Sequence, residues 1–122
     1  MKALRFSVAV LTATFALSAF AADMVKKADG ILVNSAGMTV YTFDKDVADS
    51  GKSACNGPCA KGWPAVQAGD TAVAAPYSVI TREDGGKQLA YKGKPLYTFA
   101  KDAKPGDRMG DKFKDIWHVV AD

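Results

Sequence analysis

Cys55 and Cys59 are the only cysteines of this 122-residue chain, and three residues separate them. In an oxidising compartment two thiols at that spacing are expected to form a disulfide. The closed loop is so short that chain entropy contributes only about 2 kcal/mol, so its expected task is to pin the turn Cys55-Asn56-Gly57-Pro58-Cys59. A thiol-exchange centre would favour two intervening residues at a helix N-terminus within a βαβ context. Neither feature is present in the pattern. His118 is the only histidine, which leaves no triad with a second His and no multi-His metal site, and zinc would need more Cys and His. Haem attachment through Cys-x-x-Cys-His fails on spacing. A haem or copper ion held by His118 with Met38 or Met109 is the metal form of a redox alternative whose thiol form uses Cys55 and Cys59.

Carboxylates come next. Asp44, Asp46 and Asp49 lie close together, and Asp107, Asp111 and Asp115 recur in the second half. Calcium takes six to eight oxygens, and an EF-hand loop supplies them from positions 1, 3 and 5 with Gly at 6. Counted from Asp44, position 5 is Ala48 and position 6 is Asp49, while Met109 and Lys112 interrupt the second series. These groups therefore read as solvated loop carboxylates paired with nearby lysines. Asp44, Asp46, Asp49, Asp107, Asp111 and His118 stand as the metal-ligand candidates, and no cofactor is expected.

The strongest pattern is a duplication. Tyr41-Thr42-Phe43-Asp44-Lys45-Asp46 returns 56 positions later as Tyr97-Thr98-Phe99-Ala100-Lys101-Asp102. A Gly stands four positions before each copy (Gly37, Gly93), and a Trp with a Val three beyond it follows each (Trp63 and Val66, Trp117 and Val120). Tyr and Phe two apart on a strand share a face suited to burying aromatic surface. The Asp three beyond Phe falls at the strand end, where it can accept backbone N–H groups of the following loop. Packing and capping is the expected role. The alternative is a groove between the halves built from Tyr41, Phe43, Asp46, Tyr97, Phe99 and Asp102 with Trp63 and Trp117.

The elements that must position these residues read as β. Residues 22–28 have no clear period and are expected to fray. Residues 31–33 and 38–43 are strands around the turn cluster 34–37, forming a hairpin. Residues 44–62 form a long loop holding the Cys pair, with room for one helical turn near its end, and 67–76 link the halves. Residues 77–83 alternate and meet 87–91 across Asp84-Gly85-Gly86. Residues 95–99 carry the second motif, 101–115 form a loop without cysteines, and 116–120 are a last strand. The expected fold is a small single domain, mostly β, of two homologous antiparallel β units joined by a short linker: repeat one at about 30–66, repeat two at about 77–120.

These motifs, together with Gly-Lys-Ser-Ala-Cys-Asn-Gly-Pro-Cys-Ala-Lys-Gly-Trp-Pro at residues 51–64, Gly-Lys-Pro-Leu-Tyr at 93–97 and Trp-His-Val-Val at 117–120, resemble one family. It comprises secreted repeat proteins, often predicted lipoproteins, described by Tyr-x-(Phe/Trp/Tyr)-x-x-Asp. The resemblance implies a secreted, repeat-built domain of no established molecular function. This chain has no lipidation Cys, so the anchoring of the lipoprotein members does not carry over.

The first residues set the compartment. Lys2 and Arg5 precede an uncharged, mostly apolar run over 6–20, and Ala19-Phe20-Ala21 offers small residues at −3 and −1. Residues 1–21 thus read as a secretory signal peptide cleaved between Ala21 and Ala22, leaving 22–122 as one periplasmic or secreted domain without a stable membrane anchor. Lys2 and Arg5 leave with it, so 16 basic and 13 acidic residues become 14 and 13, a net charge of +1. That balance argues against a nucleic-acid partner. The expected function is a non-enzymatic binding or interaction module for an unidentified ligand or envelope protein.

Overall fold

The computed structural model describes residues 24–121; the expected signal peptide and its cleavage point lie outside them. Strand β1 (Val25–Ala28) pairs antiparallel with β2 (Ile31–Asn34). Their two-residue connection, Asp29 and Gly30, takes positive φ at both positions, the backbone twist that suits a tight hairpin. Residues 25–28 of the segment expected to fray therefore form a strand. Only Val25 of β1 is buried, while Lys26 and Lys27 are exposed, so no alternation shows in the sequence. Its partner β2 supplies three consecutive buried residues instead.

The second half repeats this arm. β3 (Tyr41–Phe43) precedes the disulfide loop, in which α1 (Pro58–Gly62) is the single helical turn, with Pro58 in its first positions. β4 (Tyr77–Thr81), β5 (Lys87–Tyr91) and β6 (Lys94–Pro95) form a three-stranded antiparallel sheet. A 3-10 turn (Phe113–Asp115) leads into β7 (Trp117–Val119).

The halves are interleaved. The arm after β2 behaves as a hairpin as far as Val40, whose N–H meets the Leu32 carbonyl at 3.1 Å. Beyond it, β3 leaves its own half and pairs with β7, Tyr41 opposite Val119 and Phe43 opposite Trp117. The second motif does the same: Tyr97 bridges Ala65, and Thr98 and Ala100 donate to the carbonyls of Pro64 and Gly62, both at 2.8 Å. At the midline Tyr41 and Tyr97 bridge each other. The spatial order is thus 62–65, 97–100, 41–43, 117–119, which reads the same from either half. The outer contacts follow suit, since Leu32 donates to Val120 and Leu89 to Val66, each at 2.9 Å.

Alternation across these midline segments sorts the core in two. Val40, Leu96, Val66 and Val120 join Val25, Leu32 and Leu89 in an aliphatic cluster. Tyr41, Phe43, Tyr97 and Phe99 join Trp63, Trp117 and Cys55 in an aromatic one. Each cluster draws on both halves, so neither half owns a complete core.

Candidate functional site

The tyrosines and aspartates of the motif pair crosswise. Tyr41 Oη donates to Asp102 Oδ2 at 2.7 Å, and Tyr97 Oη to Asp46 Oδ2 at 2.6 Å. The second oxygen of each carboxylate accepts a loop N–H: Ala54 on Asp46 Oδ1 at 2.6 Å, Met109 on Asp102 Oδ1 at 2.8 Å. Each Asp therefore ties its own loop to the other half's Tyr. Desolvation first, then the bond to the carboxylate, holds both tyrosine hydroxyls well above their ordinary pKa. All four side chains are buried, and no buried side-chain polar atom among the described residues lacks a partner.

The disulfide loop carries a second buried network. Cys55 and Cys59 are bonded, with Cα atoms 5.2 Å apart; Cys55 is fully buried against the aromatic cluster and Cys59 half-buried beside it. Arg82 reaches in from the end of β4. Its guanidinium donates to Ser53 Oγ at 3.0 Å, Gln88 Oε1 at 2.7 Å, Cys55 O at 2.6 Å and Asn56 Oδ1 at 3.2 Å. Ser53 Oγ in turn lies 2.6 Å from Tyr97 Oη, which joins the network to the crossed lock. The loop of the other half is closed differently. There the Gly110 N–H donates to Tyr41 Oη at 3.1 Å, and Thr39 Oγ1 donates to the Asp107 carbonyl at 2.6 Å.

The other acidic candidates are dispersed. Asp44 Oδ2 lies 2.9 Å from His118 Nε2 on an exposed face. The Asp49 carboxylate fills the space a Cβ on Gly93 would take. Asp107 accepts the N–H groups of Ala103 and Lys104 and pairs with Lys104 Nζ at 2.9 Å, and that lysine holds its carboxyl below the usual range. Asp111 Oδ1 accepts the Val119 N–H at 3.1 Å. Among the described residues, no three His, Cys, Asp or Glu side chains are placed to share a metal ion.

Between the two loops the rings form a column. Phe43 stacks on Trp117 (centroids 4.1 Å, 12°), Trp117 on Trp63 (3.7 Å, 1°) and Trp63 on Phe99 (4.0 Å, 17°). Tyr41 meets Trp63 edge-on at 5.3 Å and Tyr97 meets Trp117 edge-on at 5.2 Å, arrangements favoured by the ring quadrupoles. One side of the column opens into a depression of about 360 Å³. Pro58, Cys59, Phe113 and Ile116 border it, with Lys101 and Lys114 as its charged members. A larger depression of about 450 Å³ borders Met24, Ser35, Gln67 and Thr98. It holds neither an aromatic ring nor a charged group, so it offers less to orient a ligand.

A model of secreted repeats of unknown function matches residues 23–67 and again residues 78–121. The chain belongs to that family. No curated protein and no solved structure matches it. The matched segments are the two interleaved halves, so the family's unit is the arm, motif strand and loop that each half contributes. Among the described residues no helix is long and apolar enough to cross a membrane.

Within this secreted repeat, four residues of the site stand outside the motifs that mark it in the sequence. Arg82 falls on the same strand face as Ile80, which is buried, so the alternation itself aims it inward. Gln88 packs in that network, yet in an exposed-looking run of polar residues nothing marks it. Gly110 is held small because a Cβ there would lie 2.5 Å from Trp63 and 3.0 Å from Phe99. Phe113 stands in the acidic loop with no periodic neighbour, although its ring lies 5.8 Å from Trp63 and 5.5 Å from Phe99.

Proposed function

We propose that this secreted repeat is a non-enzymatic binding module of the periplasm or cell exterior, and that it binds at the open side of the ring column. The observation that carries the reading is the depression itself: about 360 Å³, within the size range of small-ligand sites, and lined by aromatic and aliphatic groups with a few charges. The side chains with the most reactive chemistry are occupied elsewhere. His118 pairs with Asp44, and both motif tyrosines and aspartates are consumed by the crossed lock. Periplasmic placement rests on the leader pattern of residues 1–21.

Titration of ¹⁵N-labelled protein with a fragment collection tests the reading, followed through the indole N–H signals of Trp63 and Trp117. Saturable shifts at both indoles and at Phe113 are expected. Shifts confined to other surfaces, or none at all, would sink it.

A further inference from the structure

The cleft's shape and charge point to a ligand class, and we propose that it takes a flat aromatic molecule carrying one negative charge, such as an aromatic carboxylate or sulfonate. This inference rests on the binding reading above. Its first support is the lining. Five aromatic rings, those of Phe43, Trp63, Phe99, Phe113 and Trp117, line it, so a planar ring can enter with several aromatic contacts.

The charged side chains of the lining have one sign. Among the described residues, Lys101 and Lys114 are the charged groups on it, and both are exposed. Lys114 Nζ lies over the Phe113 ring, 5.6 Å from its centroid, so its ammonium sits beside one of the lining rings. An anion between these two lysines gains from both. A neutral ring gains only the apolar contact, and a cation is repelled.

The segment around Phe113 is built from costly backbone. Lys112, Lys114 and Asp115 all hold positive φ, at 65°, 53° and 61°. Non-glycine residues in that region cost of order 1 kcal/mol or more each, and such conformations cluster where a ligand is clamped. Here they bracket Phe113 and aim its ring at the column, secured by Lys112 N–H on the Trp117 carbonyl at 2.6 Å and Phe113 N–H on the Gly110 carbonyl at 3.0 Å. A hydrophobic core alone has no need of this arrangement, since Phe113 remains half-exposed.

The test compares three probes of one shape on the full mature protein by ¹⁵N chemical-shift titration: 2-naphthoate, 2-naphthylmethanol and 2-naphthylmethylammonium. Naphthoate is expected to bind about tenfold tighter than the alcohol, the scale of two exposed charge pairs, and the ammonium most weakly, with the preference shrinking in high salt. Lys101→Glu with Lys114→Glu should invert the order. Phe113→Leu, which keeps apolar bulk, and Phe113→Ala should both weaken all three probes while leaving the anion preference. Equal affinity for the three probes at the indoles would overturn the charge class and leave the binding reading standing. No saturable binding of any probe, or shifts away from Trp63 and Trp117, would overturn both.

Discussion

Tyr41 and Tyr97 bond to each other through the backbone in both directions, Tyr41 N–H to the Tyr97 carbonyl at 2.7 Å and Tyr97 N–H to the Tyr41 carbonyl at 2.9 Å. The two are equivalent positions of the halves, so the pair marks the axis relating them, as the stacked Trp63 and Trp117 also do. The crossed side chains follow from it. Two strands antiparallel at that point send each tyrosine toward the far loop, where the other half's aspartate caps a backbone N–H. Duplication is thereby used to lock the halves together.

Breaking one crossed bond should cost stability in a way that identifies its partner. Tyr41→Phe leaves Asp102 Oδ2 and the Gly110 N–H unpartnered, a loss of about 1–3 kcal/mol, visible as a lower urea midpoint. In double-mutant cycles Tyr41→Phe should couple to Asp102→Asn and combine with Asp46→Asn additively to within about 0.5 kcal/mol. Coupling to Asp46 in place of Asp102 would refute the crossing.

The fold should weaken at alkaline pH. Both motif hydroxyls titrate higher in the folded protein than in the unfolded chain. Their contribution is fully present below the unfolded tyrosine value of about 10 and declines as pH rises past it. Denaturation midpoints should therefore fall from about pH 10 upward, and Tyr41→Phe should flatten that decline. An unchanged slope in Tyr41→Phe would count against the buried-hydroxyl account.

Indoles that lie parallel at 3.7 Å must couple electronically. The circular dichroism of the protein should show a paired positive and negative band in the indole region, lost in both Trp63→Phe and Trp117→Phe with the β signal retained. Truncation to Ala at either position should cost about 3–5 kcal/mol. A spectrum that is the simple sum of the two single variants would contradict the stacking.

Arg82 should matter more to the disulfide loop than the disulfide does. Reduction releases a constraint of about 2 kcal/mol, whereas Arg82→Met strands several buried acceptors at about 1–3 kcal/mol each. Reduced protein should keep its indole couplet and lose a few degrees in Tm; Arg82→Met should lose more, even with the disulfide intact. The reverse ranking in thermal scans would show that the cross-link holds the loop.

Local pairing is legible in the amino-acid pattern. Period-2 runs separated by Asp-Gly and Lys-Gly turns specify which neighbouring segments meet, so Tyr77–Thr81 pairs with Lys87–Tyr91 where the pattern puts them, and the Cys pair is bonded. Partner choice is a different kind of information. A Tyr five residues before an Asp is equally spaced whether the two meet within a half or across halves, so the crossing leaves no trace in the pattern. Strand β1 is hidden because two lysines occupy its middle, and an edge strand needs only one inward side chain. Phe113 is hidden because left-handed lysines, not a turn glycine, set its direction.

The interleaving has a last consequence for assembly. Because the midline pairings run from one half to the other, they are indifferent to whether the two halves belong to one molecule. Residues 67–76 decide that by raising the effective concentration of each half for its complement. Concentrated, partly unfolded protein should therefore return in part as reciprocally exchanged dimers with every bond of the monomer intact. A protease cut in that segment should leave two fragments that stay associated, as a tethered dimer does when its tether is removed.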